Sequence, residues 1–396
     1  MAAICIAIAA AIPALVTGST AAEPADGLLD PFLGDPVIEG AELFRGERFP
    51  NVLVTPKGTV LATWGGVGQD NSGSVRVRRS EDGGATWGPE IVVADPGFHG
   101  GGALADKTSG DLMLFVEQGH PPAPLAFYRS TDDGLSWQLE EVEVQPDERG
   151  AVPSMHMCEH GITLTRGPHA GRLLRPARVY EPRPRGYNTA VYSDDGGRTW
   201  RSSGPFPAIG SGEGALAELS DGRIYLSSRR NWFADDEEFS PWREHAWSHD
   251  GGETWEGPEL SAVLPDGPRY RGAERRGNNW NGHFGMMAGL VRLPVEGSDI
   301  LLYSNADHDG HERVRLTVWV SFDGGETWPL KRLVHERESA YSSLAAGRPG
   351  TPGEGWIYLQ FETGGHPHST CKLARFNLAW LLDGELTGDG ELPAPP

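Results

Sequence analysis

Apolar positions along this 396-residue chain alternate with polar ones over short runs and never settle into a long helical period. SVRVRRS (residues 74–80), LAFYRS (125–130), TAVYS (189–193), EHAWS (244–248) and LTVWVS (316–321) are each followed by glycine and aspartate, as half-buried strands entering tight turns are. Every one of these runs leads into nearly the same octet: SEDGGATW at 80–87, STDDGLSW at 130–137, SDDGGRTW at 193–200, SHDGGETW at 248–255 and SFDGGETW at 321–328. A further strand-like run, such as IVVAD or PLKRLV, follows several of them, so the octet is expected to be the turn of a β-hairpin.

The chemistry of the octet suits a turn. Its aspartate can accept bonds from turn N–H groups, its glycine permits positive φ, and its tryptophan can fold back as an apolar plug. SDDGGRT lacks the spaced oxygen ligands and terminal glutamate of a calcium loop, so no metal is expected there. Octets 50 to 73 residues apart, with several short strands between them, predict an all-β fold of radial repeats, a β-propeller of four-stranded antiparallel blades. The segments GWIYLQFE (355–362) and CKLARFNLAWLL (371–382) carry no octet. Joined to an N-terminal strand, they are expected to form a sixth blade, giving a six-bladed β-propeller.

Composition sharpens this picture: 54 glycines, 31 prolines and 13 tryptophans fit many strands and turns, and a net charge of −21 argues against nucleic acid as a partner. Residues 1–22, MAAICIAIAAAIPALVTGSTAA, read as a signal peptide ending in small residues, although no lysine or arginine precedes Arg45; a short membrane anchor is the alternative. The expected location is secreted or periplasmic, without membrane insertion of the mature chain. Residues 23–42 would be a lead-in, 43–383 the propeller and 384–396 a tail. Beyond the leader only Cys158 and Cys371 remain, leaving room for one disulfide.

The octets, together with RFPNVLVTPKGTVLA (48–62), GEGALAELSDGRIYLSSR (212–229), ERVRLTVWVSFDGGETW (312–328) and AYSSL (340–344), resemble the exo-sialidase (neuraminidase) family of retaining glycoside hydrolases, with its Asp-box (BNR) repeats. The resemblance implies three arginines that grip a substrate carboxylate, at Arg48, Arg229 and Arg313, with Arg45, Arg230 and Arg315 as local rivals. It also implies Glu362 as the residue that orients the first arginine, Tyr341 as nucleophile, Glu213 as its base, and Asp70 as general acid in the loop WGGVGQDNSG. A sialic acid carries its carboxylate on the anomeric carbon. Guanidinium groups suit that planar anion, and a phenol attacks beside it with less like-charge repulsion than a carboxylate would. No metal or cofactor is implied, and the expected partner is a sialylated or related acidic glycan.

The segment LATWGGVGQD departs from the family pattern, which often places a further arginine there; a related 2-keto-3-deoxy sugar acid is therefore an alternative substrate. A non-catalytic carbohydrate-binding propeller is the alternative function. The pairs His156/His160, His308/His311 and His366/His368 lack zinc spacing and are expected to line pockets or pack. Trp232, Trp280 and His283 are expected either at the mouth of the pocket or in blade packing.

Overall fold

The computed structural model describes residues 26–65, 73–99, 101–182, 185–231, 240–267, 285–310, 312–365, 368 and 370–393. Its strands form five sheets, and among the described residues the single α-helix is the five-residue Leu378–Leu382. Residues 51–94 make a four-stranded sheet, 98–140 a five-stranded one, 143–202 a second five-stranded one, and 211–265 a second four-stranded one. All other strands join in one eight-stranded sheet. The all-β expectation is met, but the expectation of six separate four-stranded blades is corrected: four sheets have blade proportions, and the rest is continuous.

One strand accounts for the difference. Leu330–Ala346 runs for 17 residues, pairing first with Val314–Ser321 and then with Ile357–Thr363, so two expected blades are hydrogen-bonded into one sheet. Its sequence, LKRLVHERESAYSSLAA, contains neither glycine nor proline to break it. Ile38–Arg45 pairs with Thr370–Phe376, and Glu385–Leu386 pairs with the start of the long strand, so the first and last strands among the described residues both join this sheet.

The innermost strands meet in a circle. Asn51–Val54 touches Leu104–Ala105, which touches Ile162–Thr163; this touches Ser211–Glu218, then Gly289–Arg292, then Leu330–Ala346, which returns to Asn51–Val54. Corresponding ends of strands distant in sequence are thereby gathered around one axis.

The octets fasten this circle. Each folds in the same way: the serine hydroxyl donates to the aspartate and accepts from the fifth-position glycine N–H, while the seventh residue donates its N–H and its hydroxyl to the aspartate. Burial raises the Asp195 carboxyl, but the bonds from Thr199, Ser193 and Arg198 outweigh it and bring it down to about 2. The fifth glycines have φ between +83° and +98° and lie against the preceding sheet: Gly134 faces Leu61, Gly197 Met113, Gly252 Leu174, Gly325 Tyr225, and Gly84 closes the ring on Tyr358. The tryptophans join the same contacts; Trp200 packs with Met113 and Leu104, and Trp328 with Tyr225.

Cys158 and Cys371 are both buried free thiols, so the disulfide left open by the sequence is not formed. No helix among the described residues is long and apolar enough to cross a membrane.

Gly197→Ala combines a strained φ with a Cβ only 2.7 Å from the Met113 sulfur and should cost about 2–3 kcal/mol. Gly110→Ala, at nearly the same φ but with nothing within 4 Å, should cost about 1 kcal/mol. Denaturant unfolding of the two variants separates wedge from strain, and equal losses would mean that the octet does not press on its neighbour.

Candidate active site

The turn before Asn51–Val54 places Arg48. Glu47 and Phe49 on either side of it have φ of 56° and 73°, a left-handed backbone that side-chain-bearing residues rarely adopt. Two ties hold this backbone: Glu47 accepts from Ser74 N–H at 2.7 Å and Arg76 at 2.7 Å, and the Phe49 N–H donates to Glu362 at 3.0 Å. Arg48 meets Glu362 through one edge of its guanidinium, Nε at 3.0 Å and Nη2 at 2.6 Å. The same carboxylate accepts from the Tyr341 N–H at 3.2 Å, so Glu362, fully buried on Ile357–Thr363, fixes Arg48, Phe49 and Tyr341 together.

Opposite them, Glu213 and Arg229 stand near the adjoining ends of the paired strands Ser211–Glu218 and Ile224–Arg230. Arg229 donates to Oε2 of Glu213 at 2.5 Å and to the Tyr341 hydroxyl at 3.1 Å, while that hydroxyl donates to Oε1 of Glu213 at 3.0 Å. Glu213 and Arg229 are fully buried and Tyr341 nearly so. Arg48 and Arg313 each lie over the Tyr341 ring, at 5.1 and 5.2 Å from its centroid. The rivals point elsewhere. Arg230 binds Glu244 at 2.5 Å, Arg45 binds Glu42 at the surface, and Arg315, with φ of 60° at a break in strand register, reaches out to Glu336.

Six of the seven residues singled out by the sequence are thus brought together: Arg48, Glu213, Arg229, Arg313, Tyr341 and Glu362. Asp70 lies outside the described residues, as do Trp232, Trp280, His283, His311 and His366. His156 packs between Phe49 and Phe98, and the Phe49 ring in turn stacks on Tyr341 at 5.8 Å. His160 is tied to the Gly161 and Leu344 carbonyls, and His308 accepts from the Gly310 N–H. Among the described residues no group of histidine, cysteine and carboxylate side chains could hold a metal ion.

Sequence reasoning missed two buried arginines. Arg243 supports Glu213 from behind, donating to Ser227, Asp266, the Met286 carbonyl and, at 3.2 Å, the Glu213 carbonyl. Arg178 comes within 3.7 Å of Oε1 of Glu213. It ends LLRPAR, in a strand buried at every position, and an arginine inside so apolar a run was the available signal.

The electrostatics are dominated by cations. Burial raises the Glu213 carboxyl, but Arg229 and Arg178 outweigh it and hold it below its ordinary value. Burial lowers the Arg313 guanidinium, and Arg229 and Arg48 lower it further against the pull of Tyr341. Four arginines thus face two carboxylates in a chain whose net charge is −21. Such a site favours an anion, and its hydrogen-bonded phenol and carboxylate can exchange a proton.

A model of the BNR repeat-like domain matches residues 58–352. The chain belongs to the BNR repeat-like domain family. Within it, the chain is similar to a sialidase of Micromonospora viridifaciens, with 33% identity over 93% of this chain and 58% of that protein. A sialidase of Bacteroides fragilis shares 25% identity over 71% of this chain and 54% of its own length. This BNR-family chain therefore spans little more than half the length of either relative. Among solved structures, a Hadza microbial sialidase superposes with a TM-score of 0.64 at 21% identity, covering 84% of this chain and 66% of that one. A leech intramolecular trans-sialidase superposes at 0.66 and 16% identity, covering 87% and 71%. The fold is shared with both, and the sequence resemblance to the sialidase family is borne out.

Glu362→Ala would leave Arg48 and two N–H groups without their acceptor and should cost about 3–5 kcal/mol. Arg45→Ala, which removes only an exposed ion pair, should change stability by less than about 0.5 kcal/mol. Equal unfolding midpoints for the two variants would contradict this account of Glu362.

Proposed function

We propose that this chain is an exo-acting retaining glycoside hydrolase that releases a terminal α-ketosidically linked sialic acid, or a related 2-keto-3-deoxy sugar acid, from glycoconjugates. The observation that carries the reading is the Tyr341 phenol, hydrogen-bonded to Glu213 and surrounded by Arg48, Arg229 and Arg313. Similarity to the Micromonospora sialidase over nearly the whole chain supports it. A location outside the cytoplasm, secreted or periplasmic, accords with the leader-like residues 1–22 and with glycoconjugate substrates.

In this mechanism the three arginines bind the substrate carboxylate and set the anomeric carbon near Tyr341. The phenol oxygen attacks that carbon as its proton passes to Glu213, and the bond to the leaving oxygen breaks as Asp70 donates a proton to it. Arg229, already 3.1 Å from the phenol oxygen, stabilises the charge that develops there. Water then cleaves the glycosyl-tyrosine bond, giving its proton to Asp70 while the phenol recovers its proton from Glu213. Two inversions at the anomeric carbon amount to retention.

A binding protein without turnover is the alternative reading, and an assay separates the two. Wild-type chain should release a fluorescent phenol from N-acetylneuraminic acid, its deaminated analogue or a shorter keto-deoxy acid; inactivity on all three would sink the proposal. Tyr341→Phe keeps the packing of the ring and should lower kcat by roughly 10³-fold or more. With a substrate fluorinated beside the anomeric carbon, mass spectrometry should find the sugar on Tyr341; finding it on Glu213 would refute the assignment. Asp70→Ala should slow turnover of sugar-linked substrates by about 10²- to 10⁴-fold while largely sparing activated phenols. Equal losses on both substrate types would remove Asp70 from the mechanism.

A further inference from the structure

Arg178, only 5% exposed, is the next-to-last residue of the strand Leu173–Val179, with its guanidinium 3.7 Å from Oε1 of Glu213 and 4.4 Å over the Tyr180 ring. Its side chain makes no hydrogen bond to any described residue. Its Nε is buried without an acceptor, and the neighbouring Tyr180 hydroxyl is also buried without a partner. A guanidinium carries five N–H donors, and burying them unmet is costly.

Structural arginines in this chain look different. Arg243, just as deeply buried, spends its donors on Ser227, Asp266, Met286 and the Glu213 carbonyl, and Arg172 spends its own on Asp194, Glu253 and Gly251. Arg178 cannot be explained as one more such brace. Among the described residues its single ionic neighbour, Glu213, is already engaged by Arg229 on the other oxygen and by Tyr341 on the near one. What remains is a row of donors beside the reacting phenol, across the carboxylate from Arg229.

We propose that Arg178 is a further substrate-binding residue, whose N–H groups hold an uncharged oxygen of the bound sugar acid, a hydroxyl or an acyl carbonyl, on the Oε1 side of Glu213. The inference rests on the sugar-acid reading above. Because the substrate's carboxylate is taken up by Arg48, Arg229 and Arg313, the oxygen left for Arg178 belongs to another substituent. The Tyr180 hydroxyl, beside the same guanidinium, would meet the same substituent. Arg178 would then select for sugars bearing oxygen at that position over deoxygenated or alkylated ones.

The test is calorimetric binding of a 2-deoxy-2,3-didehydro sugar acid, and of analogues each lacking one hydroxyl or the acyl group, to wild type, Arg178→Met and Arg178→Lys. Loss of a charge-assisted hydrogen bond should weaken binding of the parent compound to Arg178→Met by about 10- to 100-fold. With the one analogue that lacks the contacted oxygen, wild type and variant should bind alike. Arg178→Lys, which keeps the charge without the fork, should show a smaller loss that vanishes with the same analogue; it also carries the test if Arg178→Met does not fold. A loss spread evenly over all analogues would mean that Arg178 acts only through Glu213 or the fold and would overturn the proposal, as would no loss at all. Wild type that binds none of the compounds would instead overturn the sugar-acid reading itself.

Discussion

The hydrogen bond from the Tyr341 hydroxyl to Glu213 is the contact on which the arrangement depends, because it lies inside a cluster of like charges. A phenol buried beside a carboxylate gains little by itself, and the carboxylate would rather be protonated there than charged. Arg229 and Arg178 reverse that preference and keep Glu213 ionised. Burial lowers the Arg313 guanidinium and the neighbouring Arg229 and Arg48 lower it further, so the arginines need the two glutamates to stay together. Neither sign of charge would be stable in this interior alone.

Holding such a cluster demands precise backbone support, and the circular contact of inner strands supplies it. Arg48, Arg178, Glu213, Arg229, Arg313, Tyr341 and Glu362 come from seven separate places in the chain, most of them near a strand end, with Tyr341 inside the long strand close to where it changes partner. Sheets free to slide past one another would let the arginines relax apart. The octets prevent that by pressing each turn into the sheet before it, with a glycine where no side chain would fit. Five copies of one turn therefore serve five joints of one ring, far more than they serve chemistry.

How much of this was legible in the sequence follows from the range of each interaction. The octet was readable because its hydrogen bonds close within eight residues. Arg229 was separable from Arg230 only by direction, since neighbours on a strand face opposite ways, and the sequence does not say which face is the site. Arg315 and Arg313 should share a face at that spacing, yet the left-handed backbone at Arg315 turns it outward. The blade count was misjudged because the segments without an octet were assigned to a separate sixth blade. The 17-residue run without glycine or proline said otherwise. Arg178 went unread because an arginine in an apolar strand has no local partner to explain it; its neighbour Glu213 is 35 positions away.

The two carboxylates divide the work in a way that explains why both are needed. Glu362 accepts from Arg48 twice and from two backbone N–H groups, so its acceptor capacity is filled by groups that do not react. Glu213 keeps one oxygen for Arg229 and turns the other to the phenol, leaving that oxygen able to take a proton. A fully saturated carboxylate is a good anchor and a poor base, and a base must keep one acceptor position for the proton it receives. The same reasoning separates the arginines: Arg243 is committed to protein oxygens, Arg48 gives only Nε and Nη2 to Glu362, and Arg178 makes no hydrogen bond to any described residue. The fold thus supplies rigidity with saturated groups and chemistry with unsaturated ones, and it keeps both kinds within reach of a single tyrosine.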